Sequence, residues 1–278
     1  MEAPQEPCHK QGVDSSFPTQ PQHIARFVAH LSLLGKAAST AKTYLAGISA
    51  FHKLNDWPDP TSAFLIKTLI RGMSRASVSV DTRLPITLQR LQGLLGILPV
   101  VCSSTYESCL FKAAFALAFH GFLRLSEILG QNLPQGTGRK PLMRNNLSFN
   151  LSSVTVQLSG SKTNQSGRKE LILVRKESSM PDTCAVTALH QYMSAHPKCS
   201  DVLFVHINGA PLTQYQFRAV LKKAAYHLGW PMKGFSSHSF RIGAATSAAA
   251  LGVPLDTIME LGRWKSAAVL GYIRPSWS

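Results

Sequence analysis

Between Tyr106 and Phe119 the chain reads YESCLFKAAFALAF, with small and aromatic side chains on almost every side of a helix. A helix that is apolar all round has no face to give to water, so protein or lipid must surround it. Its longest apolar run, Ala113 to Phe119, is bounded by Lys112 and His120. That is far short of the roughly 20 residues a membrane span needs. The stretch therefore predicts a buried central helix with other helices packed on it, and no membrane insertion. At 278 residues the chain can build one large domain around this helix and a second, small one.

The small domain comes first. Residues 1–20 are rich in Pro and Gln and read as a disordered lead-in. MEAPQEPCHKQ has no apolar core after a basic start, so no signal peptide is expected. Residues 21–76 carry three helical stripes. Ile24, Phe27, Val28, Leu31 and Leu34 form the first, closed by Gly35. Tyr44, Leu45, Ile48 and Phe51 form the second, with Ser39 or Thr40 as its cap. Phe64, Leu65, Leu69 and Ile70 form the third, capped by Thr61 or Ser62. Residues 77–84 lack periodicity and read as a linker.

Residues 85–278 form the large domain. Helical patterns over Thr87–Leu98 and Tyr106–Phe119 lead to Gly121 and a short helix that Ser126 can cap. Ser153–Leu158 and Leu171–Val174 are β-rich, and the polar turn between them predicts a hairpin with Lys162 near its tip. Another helix, Thr213–Leu228, puts Phe217, Val220, Leu221, Ala224 and Leu228 inside. The last helices open at Ser236 or Ser237, at Pro254 and at Ser266, the final one containing Tyr272. The fold class expected is mainly α with a small β-hairpin or sheet (α+β).

Charge narrows the partner. Lys and Arg number 29 against 14 acids, a net charge of +15. Nine basic and six acidic residues lie in 1–84, and twenty and eight in 85–278, so the large domain holds most of the excess. An imbalance of this size suits a polyanion, either nucleic acid or an anionic membrane surface. Lys36, Lys42, Lys67 and Arg71 fall on polar faces of the small bundle. Arg218 and Lys222 lie one turn apart on the outer side of Thr213–Leu228. Together they read as contacts to DNA phosphates; for any single one, a solvated surface is the alternative. Five cysteines without a CxxC pair indicate reduced thiols and no zinc site.

Several residue types suited to phosphate chemistry are spread along the large domain. Arg124 sits in apolar surroundings beside a helix start, where free backbone N–H groups favour an anion. Its partner is either Glu127, three residues on, or a phosphate that arrives with substrate. Lys162 is an ordinary solvated lysine unless its hairpin lies in a groove, where an ammonium can donate a proton to a leaving oxygen. His238 and Arg241 stand three residues apart at a helix start; chance alone predicts about 0.5 such matches in a chain of this composition, so the pair means little alone.

Taken in order, GFLRLSE with Arg124, SKTNQSG with Lys162, HSFR with His238 and Arg241, LGRW with Trp264, and GYIRP with Tyr272 resemble the motifs of tyrosine recombinases, the phage integrase family. The wording GRWKSAAVLGYIR is most similar to the enzymes of DIRS- and Ngaro-type retrotransposons or Crypton elements. The resemblance spans about residues 20–275 and implies a helical core-binding domain at 21–76 followed by a catalytic domain at 85–278. It implies a site-specific recombinase or integrase in which Tyr272 attacks a scissile phosphodiester, forms a 3′-phosphotyrosine bond and releases a 5′-hydroxyl. Arg124 and Arg241 would clamp the non-bridging oxygens, and His238 would assist deprotonation or phosphate stabilisation. Lys162 would be the general acid, Trp264 would donate its indole N–H, and Glu127 would support the Arg124 region. The covalent intermediate conserves bond energy, so no ATP, metal or other cofactor is implied. The implied partners are double-stranded DNA and further copies of the chain, as a dimer or tetramer on DNA, in the nucleus.

Two departures stand out. Trp264 precedes Tyr272 by eight residues, one fewer than in bacterial relatives, and only six residues follow Tyr272. The helix that many relatives lend to a neighbouring protomer is therefore not expected. The competing readings are an idle DNA-binding protein derived from a mobile element and a type IB topoisomerase-like enzyme.

Overall fold

The structure, a computed structural model, describes residues 17–76, 81–131, 139–159, 169–231 and 233–274. The chain divides into two compact units, 1–81 and 82–278. No helix among the described residues is long and apolar enough to cross a membrane.

The first unit packs α1 (Pro21–Leu33), α2 (Ala38–Leu54) and α3 (Phe64–Ala76), with a 3-10 turn at Pro60–Ser62. Its core is Ile24, Val28, Leu31, Ala38, Ala41, Leu45, Ile66, Ile70 and Met73. On α1 Ile24, Val28 and Leu31 of the expected stripe are buried while Leu34 lies exposed past the helix end, and the other two stripes are rotated. Tyr44 and Phe51 are half exposed and Phe64 is 80% exposed, while Ala41, Ile66 and Met73 take the inward positions. The caps differ as well. Ala37 precedes α2 without a side-chain cap, so Ser39 and Thr40 lie inside its first turn. Asp59, not Thr61 or Ser62, caps the turn before α3, its carboxylate accepting from Thr61 N–H at 3.0 Å.

The second unit is built around α5 (Thr105–His120), whose residues from Leu110 to Phe119 include an unbroken buried run, Ala113–Phe119. It lies against α4 (Leu88–Val101), the four-residue α6 (Leu125–Ile128), α7 (Ala185–Ala195) and α9 (His238–Ala250). Phe115 meets Phe217 of α8 (Gln214–His227) edge-on at 4.7 Å and Phe240 of α9 at 5.2 Å, which joins three helices in one aromatic contact. Thr213 caps α8, accepting from Gln216 N–H at 3.2 Å while the Gln216 side chain accepts from Thr213 N–H at 2.9 Å.

A three-stranded antiparallel sheet, β1 (Leu147–Asn150), β2 (Ser153–Ser159) and β3 (Lys169–Arg175), completes the unit in the order β1-β2-β3. Val154, Val156 and Leu158 face inward opposite Ile172 and Val174, and Leu158 pairs with Glu170. Strand β1 and helix α7 add to the elements read from sequence. Lys162 falls in 160–168, outside the described residues. The fold is mainly α with a small antiparallel sheet, as the sequence implied.

The segment entering this unit lies directly on α9. Ile86 N–H donates to Ser239 O at 2.9 Å, and Leu88 N–H donates to Ser247 Oγ at 3.0 Å. Gly243 permits this approach: a Cβ there would lie 1.7 Å from the Ile86 carbonyl oxygen. Backbone on both sides cannot yield as a side chain can. Gly243→Ala is therefore expected to destabilise this unit by about 3 kcal/mol, at the upper end of overpacking costs. The melting midpoint should fall by on the order of 10 °C. A wild-type melting curve would refute the close contact.

Candidate active site

Arg124 stands immediately before α6, and Glu127 completes that helix's first turn. Arg124, not Ser126, occupies the capping position. Glu127 Oε2 accepts from the Arg124 backbone N–H at 2.8 Å, while Oε1 accepts from Arg124 Nη1 at 2.9 Å. The Glu127 side chain is 1% exposed and that of Arg124 is 23% exposed. Both partners considered for Arg124 are thus compatible: Glu127 anchors one edge of the guanidinium, and the side chain stays partly exposed.

Arg241 lies on α9 and is 2% exposed, whereas His238 at the start of the same helix is exposed. Arg241 Nη1 donates to Phe122 O at 2.7 Å, and Nη2 donates to Gly262 O. Phe122 holds a left-handed backbone, φ +48°, which turns the chain between α5 and α6. Burial first, and then Arg124 and Arg263, push the Arg241 pKa down to about 10, so it stays protonated near neutrality.

Trp264 forms a platform. The Arg241 Cζ sits 4.3 Å from its ring centroid, and the Tyr272 ring lies 4.9 Å away on the same indole. Arg241 Cζ is also 5.7 Å from the Tyr272 ring centroid. Gly262, the last residue of α10 (Leu255–Gly262), lets the indole fold back, because a Cβ there would come within 1.7 Å of it. The Trp264 Nε1–H and the Arg241 Nε–H are buried and have no acceptor among the described residues.

Tyr272 does not lie within a helix. Ala267–Gly271 form a 3-10 turn that Ser266 caps, and Tyr272 follows it directly. Thr246 of α9 holds this residue by its backbone, donating from Oγ1 to Tyr272 O at 3.2 Å. The same oxygen accepts from Arg274 N–H at 3.1 Å.

One participant was missed in the sequence. Arg263 stands nine residues before Tyr272, in an LGRW motif whose tryptophan draws the attention. Its Nη2 donates to Glu127 Oε2 at 2.8 Å, and its Nε is 3.6 Å from Glu170 Oε2 on β3. Burial opposes the charge on Glu127, but Arg263, the Arg124 N–H and the Arg124 guanidinium outweigh it and hold the carboxyl below its ordinary range. Arg139 adds a fourth guanidinium, 3.9 Å from Glu127 Oε1.

Arg124, Glu127, Arg241, Trp264 and Tyr272 thus converge. His238 lies at the exposed start of α9, and Lys162 is outside the described residues. Lys36, Lys42, Lys67 and Arg71 are exposed on the first unit. Arg218 and Lys222 are exposed on α8, with Arg218 Nη2 donating to Gln214 at 2.9 Å. Among the described residues no group of three or more His, Cys, Asp or Glu side chains is placed to hold a metal ion.

Residues 94–273 match the phage integrase family. No curated protein matches the chain. Among solved structures it is similar to the Tn1549 transposon integrase in complex with circular intermediate DNA, at 12% identity and a TM-score of 0.62, covering 98% of this chain and 87% of that one. It is similar to the XerH site-specific recombinase in a post-cleavage complex, at 15% identity and TM-score 0.67, covering 96% and 72%. It is also similar to a lambda integrase dimer bound to a COC′ core site, at 14% identity and TM-score 0.63, covering 96% and 69%. At such identities the likeness establishes the fold. The family match takes in the arginine cluster, the tryptophan and the tyrosine alike, and the chain belongs to the phage integrase family, the tyrosine recombinases.

Proposed function

We propose that the chain is a DNA strand transferase that cuts and rejoins duplex DNA through Tyr272. One observation carries this reading. The guanidiniums of Arg124, Arg241, Arg263 and Arg139 surround the carboxylates of Glu127 and Glu170, an excess of positive charge beside a tyrosine. Arg241 Nε and Trp264 Nε1 are among the buried N–H donors of the cluster that lack hydrogen-bond acceptors among the described residues. Buried donors are normally paired, and a phosphate oxygen supplies what is missing.

The Tyr272 phenol oxygen attacks phosphorus, and the bond to the 5′-oxygen breaks. The phenol proton passes to His238 or to solvent, and Lys162 protonates the departing 5′-oxygen. Attack by the 5′-hydroxyl of another strand reverses the step and frees Tyr272. Arg124 and Arg241 neutralise the charge that grows on the non-bridging oxygens, and removing one such donor typically costs about 100- to 1,000-fold in rate. Trp264 holds the Arg241 guanidinium and the Tyr272 ring on one surface. Lys36, Lys42, Lys67, Arg71, Arg218 and Lys222 track the duplex backbone. The DNA-bound state of the similar integrases, one of them a dimer, supports duplex DNA as the partner and assembly of several copies on it. The GRWKSAAVLGYIR wording supports an origin in a DIRS-, Ngaro- or Crypton-type element, with integration in the nucleus as its setting.

A nicked duplex, built on a sequence selected for tight binding from random DNA, tests the chemistry. The nick lets the short 5′-hydroxyl strand diffuse away, so a covalent protein–DNA adduct should accumulate. Tyr272→Phe should abolish it without weakening binding, and Arg124→Ala should slow it by about 100- to 1,000-fold. Tight binding by wild-type protein with no adduct would leave an idle DNA-binding protein as the correct reading. Supercoil relaxation without exchange between two duplexes would favour a topoisomerase-like enzyme.

Salt provides a second test. Each neutralised phosphate releases counterions, and log K should fall against log salt with a slope of about −0.9 per contact. Replacing Lys36, Lys42, Lys67 and Arg71 together by Ala should make that slope shallower. A slope unchanged by the substitutions would remove these four residues from the interface.

A further inference from the structure

Arg263 has a place in the cluster that its motif did not suggest. It follows Gly262, the last residue of α10, and adopts the left-handed conformation with φ +59° and ψ +39°. Glycine is the residue favoured at such a helix end. Here the neighbouring glycine is already taken by the contact with the Trp264 indole, and the left-handed turn falls on an arginine. That turn sends its side chain inward, to 10% exposure. Nη2 donates to Glu127 at 2.8 Å, Nη1 reaches Gly121 O at 3.3 Å, and Nη2 also reaches Phe122 O at 3.5 Å. Nε lies 3.6 Å from Glu170. Its two terminal nitrogens are thus directed at the protein's own oxygens, and Nε lies within ion-pair distance, though not hydrogen-bond distance, of Glu170.

Glu127 is what Arg263 shares with Arg124. One carboxylate oxygen takes Arg124 Nη1, and the other takes both the Arg124 backbone N–H and Arg263 Nη2. Glu127 is held from the start of its own helix by Arg124, by Arg139 and from the end of α10 by Arg263, with Arg241 of α9 nearby. Arg263 is in turn anchored by two carbonyls and by its ion pair with Glu170 on the sheet.

We propose that Arg263 is a positioning residue that, through the shared Glu127 carboxylate, holds the Arg124 guanidinium where the scissile phosphate must meet it. The role of Arg124 in this statement rests on the strand-transfer reading above. Arg263 touches no reacting atom. A lysine cannot replace it, because one ammonium cannot span Glu127 and Glu170 as a planar fork does.

Arg263→Gly and Arg263→Lys test this. Glycine suits the left-handed turn, so a residue serving only to end the helix would be replaced without harm. The expected result for both variants is a lowered melting midpoint with the protein still folded at assay temperature, DNA binding within about threefold of wild type and single-turnover adduct formation slower by on the order of 100-fold. Because the effect passes through Arg124, adding Arg263→Gly to Arg124→Ala should cause no further slowing. Full-rate cleavage by Arg263→Gly, or losses that multiply in the double variant, would overturn the proposal.

A measurement independent of cleavage accompanies it. With side-chain carboxyl carbons labelled, NMR should show the Glu127 titration midpoint at higher pH in Arg263→Gly than in wild type. Among the described residues Arg124, Arg139 and Arg241 remain as its cationic neighbours in the variant. An unmoved midpoint would refute the coupling even if wild-type protein forms an adduct. A raised midpoint in a wild-type background that forms no adduct would sustain the coupling and sink the strand-transfer reading alone.

Discussion

A single buried carboxylate, Glu127, holds the cationic centre of this protein together. Three guanidiniums approach it, from Arg124 at 2.9 Å, Arg263 at 2.8 Å and Arg139 at 3.9 Å. Burying a charge is expensive unless it is paired, and removing one partner of a buried pair strands the other. Clustered arginines repel one another equally, so neither the carboxylate nor the cations would be stable here alone. The sign of the pH dependence follows. Glu127 has a folded-state pKa below its ordinary one, so its ion pairs stabilise the fold above the unfolded pKa. That contribution is lost as pH falls through the lower, folded value.

The surrounding framework works by close approach, not by flexible contacts. Gly243 lets the chain near Ile86 cross α9, and Gly262 lets the Trp264 indole fold against the end of α10. Between these two points α9 carries Arg241, and one side-chain hydroxyl, that of Thr246, secures the backbone at Tyr272. The result is an aromatic platform with a guanidinium and a phenol ring on it, 4.3 Å and 4.9 Å from the indole centroid. Charge provides attraction for a phosphate, and packing provides the geometry in which a phenol could reach it.

Much of this could be read from sequence because burial leaves a simple signature. The all-round apolar pattern of Tyr106–Phe119 placed α5 at the centre, and alternation marked β2 and β3. In the first unit the signature is weaker: α2 and α3 carry apolar side chains on two sides and expose Tyr44, Phe51 and Phe64, so a stripe through Tyr44 or Phe64 is as plausible as one through Ala41 or Ile66. Capping differed where a nearby acceptor competed, as Asp59 does beside Thr61 and Ser62. Arg263 was hidden for a different reason. Its importance depends on a left-handed backbone angle and on partners more than 90 residues away, and neither is written in the four letters LGRW. Tyr272 was legible as a residue but not in its setting, since a 3-10 turn and a helix share the same small-residue pattern.

The identity of the residue that becomes bonded to DNA tests the account most directly. Trapped protein–DNA complexes can be digested, and the peptide bearing a residual nucleotide sequenced by mass spectrometry. The chain has six tyrosines. The account predicts one modified peptide, carrying a 3′-phosphonucleotide on Tyr272. A nucleotide on any other residue, or on the 5′ side of the break, would contradict it.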